Sequence, residues 1–209
     1  MKFYDCTTAP SPRRVRIFLA EKGITVPTLQ VDLRNNQQLT PDFRAINPDA
    51  TVPSLELDDG THINDAVGIC VYFEALHPQP SLLGETPAEK GLIASWQREI
   101  ERNGFHAVME AFRNATPGLK GRALPGPHDY EQIPALAERG RLRVKHFYEQ
   151  MDGRLAQSEF IVGPRYSIAD ITAQVAIDFA SRAKMPIPES CAHVRRWHAQ
   201  VSARPSAKA

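Results

Sequence analysis

The sequence has 209 residues, 42% hydrophobic and 23% charged, a length that suits two compact domains of ordinary globular composition. Its 25 Lys and Arg nearly cancel 24 Asp and Glu, which excludes the concentrated positive charge of a nucleic-acid binder. Three scattered cysteines (Cys6, Cys70, Cys191) without a CxxC pair exclude a disulfide framework or zinc site, and no apolar run reaches the ~20 residues that span a bilayer.

The opening MKFYDCTTAP meets charge and proline too early for a signal peptide, so the expected location is the cytoplasm, without a membrane partner. Lys2–Asp5 reads as a strand. Ser11-Pro12 then opens a helix, Ser as N-cap and Pro at the first helical position, which Lys22-Gly23 ends. Thr28–Asp32 is a second strand, giving a βαβ start with a parallel pair. Thr40-Pro41 caps a short helix that stops before Asn47-Pro48. Val52–Leu57 and Thr61–Ile63, joined by Asp58-Asp59-Gly60, form a hairpin, and a helix follows from Asp65 to about His77. The Pro-rich stretch after it reads as a linker. From Pro87 onward the periodicity is helical throughout: Leu92, Trp96 and Ile100, then Phe105, Val108, Met109 and Phe112, later Phe147, Met151 and Leu155, and finally Ile168, Ile171, Val175 and Phe179. A Pro- and Gly-rich loop spans 116–134. The expected fold class is therefore α/β plus all-α, with domains over 1–78 and 87–209.

Several residues stand where chemistry is feasible. Ser167-Ile-Ala-Asp170 has capping-box spacing and reads as helix nucleation. Asp65 at a helix start serves as a cap, and the amides of Asp65, Ala66 and Val67 would form an anion site. The loop Cys6–Ser11 faces the positive end of the first helix, where a thiolate is favoured. Cys6 reads as a strand-end cysteine ahead of a nucleophile, because no partner cysteine or nearby histidine follows. Arg13, Arg14 and Arg16 read as a solvated helix face, with attraction of an anionic ligand as the alternative. His193 and His198 lie five apart, a spacing that suits no metal, so none is expected.

Taken in order, APSPRRVRIFLAEKG, NPDATVPSLELDDGTHIND, ICVYFEALHP, SIADIT and RWHAQVSARPSAK resemble the glutathione transferase superfamily over essentially the whole chain. ATPGL points to a bacterial and fungal branch that lacks the standard catalytic hydroxyl. The resemblance implies a thioredoxin-like N-terminal domain, a C-terminal helical bundle and a homodimer. It implies glutathione as co-substrate and a small hydrophobic electrophile as its partner. Carried over by position, Pro53 is the cis-proline and the Val52 backbone pairs with the cysteinyl unit. Asp65 and Ala66 hold the γ-glutamyl group, and Gln38 is a weaker candidate for the glycyl carboxylate. Phe105, Met109 and Phe112 line the electrophile pocket, with core packing as the competing account. Two departures stand out: Ala66 replaces the usual Ser, and Ala9 stands where the catalytic serine or cysteine falls. Ser11 is the best remaining hydroxyl and the expected catalytic residue. The rival readings are a non-catalytic binding or scaffold protein and a thiol-dependent reductase or deglutathionylase, the latter opposed by Ala9.

Overall fold

The computed structural model describes residues 1–209. Four short strands, β1 (Lys2–Asp5), β2 (Thr28–Gln30), β3 (Ser54–Glu56) and β4 (His62–Ile63), form one sheet in the order β2-β1-β3-β4. β1 and β2 are parallel, with Phe3 beside Thr28; β3 runs antiparallel to β1, with Phe3 opposite Leu55, and β4 antiparallel to β3. A parallel pair requires a crossover, and α1 (Pro10–Glu21) supplies it. α2 (Pro41–Ile46) starts where the Thr40 hydroxyl accepts the Phe43 N–H at 3.4 Å, and α3 (Ala66–Leu76) closes the domain. Phe3 and Leu55 from the sheet, Val15 and Phe18 from α1, and Ile69 and Phe73 from α3 are buried together. This is the thioredoxin-like arrangement.

The helical domain consists of α4 (Pro87–Ile100), a π-helical turn (Glu101–Phe105), α5 (His106–Ala115), α6 (Pro134–Leu155), α7 (Ile168–Arg182) and α8 (Ala192–Ser202). The stripe expected from Leu92 to Phe112 thus becomes one rod with a widened turn at its middle. There the Phe147 ring fills the space of a side chain at Gly104: a Cβ would lie 2.7 Å from its Cζ. The stripe also shifts by one residue in its first two turns, with Trp96 half-buried, while Ile100 is buried as expected. Leu92 is 55% exposed, while Ile93, Gln97 and Ile100 face inward.

The Pro-rich linker is pinned. The Lys22 ammonium donates to the carbonyls of His77 and Pro80, both at 2.7 Å, and Leu82 is buried with its carbonyl accepting the Ile168 N–H. The C-terminal turn Pro205–Lys208 packs on α1, where Arg204 pairs with Glu21 at 2.6 Å and Ser206 donates to the same carboxylate. Asp170 does more than nucleate α7. One carboxylate oxygen accepts the Ser167 N–H at 3.0 Å; the other accepts Ile161 N–H at 3.0 Å and Trp197 Nε1–H at 2.9 Å. No helix is long and apolar enough to cross a membrane.

Candidate functional site

The helix start differs from the sequence expectation. α1 begins at Pro10, with Ala9 at the N-cap and no side-chain cap, so Ser11 lies inside the first turn. Two prolines flank it, and a helical Pro10 needs no N–H, which lets the helix start one residue early. Freed from capping, the Ser11 oxygen accepts a hydrogen bond from Arg14 Nη2 at 2.9 Å. A guanidinium only donates, so the Ser11 hydroxyl hydrogen remains available. Of Pro10, Ser11 and Pro12, only Ser11 has an N–H.

The preceding loop is held by side chains. Arg16 pairs with buried Asp5 at 2.5 Å and donates to the Thr7 carbonyl at 3.1 Å. Gln30 donates to Asp5 at 2.7 Å and accepts the Thr7 N–H at 2.9 Å. Cys6 is buried beside Thr8, with Sγ and Oγ1 3.5 Å apart, as expected of a strand-end cysteine.

Across from this loop stands the Val52–Pro53 bond, which is cis. The last β1–β3 pair is Tyr4 with Ser54, so Val52 lies beyond the ladder. It is buried with Tyr4, Cys6, Val31 and Phe43, and Ala9 packs against that cluster, which brings the two loops together. Buried Asn47 fixes the approach by donating to the Thr51 carbonyl at 2.8 Å and accepting the Asp49 N–H at 3.0 Å. Asn64 accepts the Ser54 hydroxyl and so ties the Pro53 turn to Asp65. Asp65 is the α3 N-cap, accepting the Gly68 N–H at 2.7 Å through Oδ1; it is exposed, and Ala66 behind it is buried. Gln38 is buried, with its Oε1 unpartnered.

The opposite wall belongs to the helical domain. The three arginines of α1 are not a solvated face: they reach Asp178 of α7 (Arg13, 2.5 Å), Glu101 of the π turn (Arg14, 2.6 Å) and Asp5 (Arg16). Steps of 100° along a helix spread residues 13, 14 and 16 over an arc of about 160°, wide enough to reach three different elements, and two of the carboxylates come from the other domain. Arg14 also lies over the Phe105 ring, 4.6 Å from its centroid. Phe105 is buried, whereas Met109 and Phe112 are half-buried; Phe179 joins the group at 6.2 Å from Phe105 and 5.4 Å from Phe112. His106 follows Phe105 with its ring partly exposed; the protein packed around it lowers its pKa, with Glu101 opposing and Arg14 adding to the effect. Burial pushes the Asp178 carboxyl up, but hydrogen bonds from His198 and Arg13 outweigh it and hold it below the usual range. No three His, Cys, Asp or Glu side chains gather as a metal site.

Models of the glutathione S-transferase N-terminal and C-terminal domains match residues 8–76 and 107–205. Glutathione S-transferase 2 of Saccharomyces cerevisiae is 36% identical over 211 residues, covering all of this chain and 88% of the relative. The chain belongs to the glutathione S-transferase family. Among solved members of that family, the yeast Gtt2 structure superposes with a TM-score of 0.92 at 36% identity over 100% of this chain and 99% of that one. A glutathione S-transferase domain-containing protein of Marinobacter aquaeolei gives 0.92 at 40% identity over 99% of both chains. Sequence reasoning about this glutathione S-transferase missed Arg14 as the partner of Ser11, Asn64 as the tie to Asp65, and Phe179 as part of the aromatic wall. For Phe179 the helical stripe carried the signal; for the other two the partners are set only by the fold.

Proposed function

We propose that the protein conjugates the thiolate of glutathione to small hydrophobic electrophiles. The observation that carries this reading is the full-length match to a glutathione S-transferase at 36% identity, joined to a cleft with a thiol-side helix end and an aromatic wall. Val52 and cis-Pro53 take the cysteinyl unit as an added strand, Asp65 and the Ala66 amide take the γ-glutamyl group, and Gln38 takes the glycyl carboxylate. Phe105, Met109 and Phe112, with Phe179, receive the electrophile. The domain boundary falls between 78 and 87.

Ala9 supplies no hydroxyl, so the thiol is activated by the α1 N-terminus and Ser11. A cysteine thiol has a pKa near 8.5, and lowering it by ~2 units needs about 2.7 kcal/mol. A helix end and one donor supply energies of that order. Arg14 holds the Ser11 oxygen from behind, so the hydroxyl hydrogen can point at a sulfur. Ser11→Ala is expected to raise the pKa of bound glutathione by about 1 unit, the loss of one hydrogen bond to a charged group. Absorbance near 240 nm reads this titration; an unchanged pKa would assign activation to the backbone or a water. Asp65→Ala is expected to weaken glutathione binding by about 1–3 kcal/mol, a charge-assisted contact. Calorimetric titration paired with a melting curve separates this from loss of the helix cap. Retention on glutathione-agarose with turnover distinguishes the transferase from a scaffold, which shows neither.

The working form is a cytoplasmic homodimer with a role in detoxification. A hollow of about 710 Å³ between α3 and α4, lined by Val67, Val71, Ile93 and Ala94, supports pairing, because Val71 in its lining is 49% exposed. Light scattering is expected to give twice the 23.3 kDa chain mass.

A further inference from the structure

The segment between α5 and α6 is read from sequence as a Pro- and Gly-rich loop, but the fold gives it internal order. Its two ends are stapled: Gln132 Nε2 donates to the carbonyls of Arg113 and Thr116, both at 2.7 Å, and Asn114 Oδ1 accepts the Ile133 N–H at 2.9 Å. Its middle doubles back, with Ala123 N–H bonded to the Tyr130 carbonyl at 3.0 Å and Tyr130 N–H to the Gly121 carbonyl at 2.9 Å. Arg113, the residue after Phe112, forms no ion pair; its guanidinium donates instead to the carbonyls of Arg122 and Leu124. Arg122 in turn donates to the Gly126 carbonyl at 3.1 Å.

The far end of this arch comes close to the other domain. Gly126 is buried, and a Cβ on it would sit 3.7 Å from the Asp49 carbonyl oxygen. Its φ of +125° favours glycine. Asp49 lies in the Asn47-braced turn that runs straight into Val52 and Pro53. The arch therefore springs from the helix carrying Met109 and Phe112 and reaches the turn presenting Val52, so it spans from one wall of the cleft to the other.

We propose that residues 116–132 form the roof of the electrophile cleft, latched by Arg113 and seated through Gly126, and that this roof limits the size of the electrophile admitted. This rests on the transferase reading above. The Arg113 latch lies wholly on the helical side of the cleft, away from the residues that hold glutathione, so loosening it acts on the second substrate. Arg113 is a positioning residue here: it acts through the carbonyls it holds.

The test compares chlorodinitrobenzene, a single ring, with menadione, a fused two-ring quinone, as electrophiles. In Arg113→Lys a single ammonium replaces the fork, and in Gly126→Ala the left-handed backbone is disfavoured; both loosen the roof. Each variant is expected to shift the kcat/KM ratio about tenfold toward menadione, the scale on which pockets discriminate size. In Arg113→Lys, whose contacts lie within the helical domain, glutathione affinity and the bound-thiol pKa stay at wild-type values. Equal change for both electrophiles, or none, overturns the roof. If neither variant folds, hydrogen exchange on the wild type decides: S-dinitrophenylglutathione must slow residues 116–132 more than glutathione alone, and equal protection overturns the proposal. A wild type that conjugates neither electrophile fails the transferase reading instead, and the exchange comparison still judges the roof.

Discussion

Asp170→Ala is expected to lower the stability of the protein by about 4 kcal/mol or more. The side chain is fully buried and accepts from Ile161 N–H, Ser167 N–H, the Ser167 hydroxyl and Trp197 Nε1–H. Hydrogen bonds to a charged group contribute about 1.5–3 kcal/mol each, and every buried donor left alone costs about 1–3 kcal/mol. Burial pushes the carboxyl up to about 6, because desolvation outweighs these bonds. The ionised form suits a site that offers four donors. In a chain of this size 1 kcal/mol moves Tm by roughly 2–4 °C, so the melting point should fall by about 8–16 °C. Asp170→Asn should lie between: its oxygen can still serve Ile161 and Trp197, but its NH2 then faces the Ser167 N–H, donor against donor. A melting curve of Asp170→Ala within a few degrees of wild type would show that the α7 start and α8 are held together by packing alone. The consequence reaches the site, since α7 also carries Asp178, the partner of Arg13, and Phe179 of the aromatic wall.

Gly140→Ala is expected to be the second severe change, although it adds one methyl group. Gly140 lies in α6 where that helix crosses α5, and a Cβ would stand 2.6 Å from the Ala111 nitrogen and 2.9 Å from the Ala107 carbonyl oxygen. Both neighbours are backbone and cannot rotate away, so the helices must separate. Overpacking of this kind costs typically about 1–3 kcal/mol and occasionally more, and backbone contacts put Gly140 at the upper end. The gain in helix propensity from Gly to Ala returns only about 1 kcal/mol. Because α5 bears Met109 and Phe112, the displacement should also raise KM for the electrophile while glutathione affinity stays constant. Gly153→Ala, in the same helix with no atom within 4 Å of its would-be Cβ, is the control and should be neutral or stabilising. If the two alanine variants melt alike, the close approach of α5 and α6 tolerates a methyl group and the packing argument fails.

What the sequence determined by itself was the order of elements and the local chemistry of their ends. Thr40 as a cap, Asp65 at the start of α3 and the Ser167–Asp170 box were legible because each partner lies within four residues. The parallel β1–β2 pair followed from the βαβ order, and the aromatic stripe of α5 from its helical spacing. The place of Val52 and Pro53 came from resemblance rather than from periodicity. The tertiary structure alone decided what the charged residues do. Arg13 and Arg14 find carboxylates 165 and 87 residues away, and nothing in a run of three arginines distinguishes such pairs from a solvated face. It likewise moved the start of α1 to Pro10, which released Ser11 from capping and gave its oxygen to Arg14. It also gave Asp170 two distant donors, and turned a Pro- and Gly-rich loop into an arch reaching Asp49. The physical reason is common to these cases. Helix and turn signals are encoded in neighbours along the chain, whereas a buried charge or a close backbone approach takes its meaning from atoms that only folding brings near.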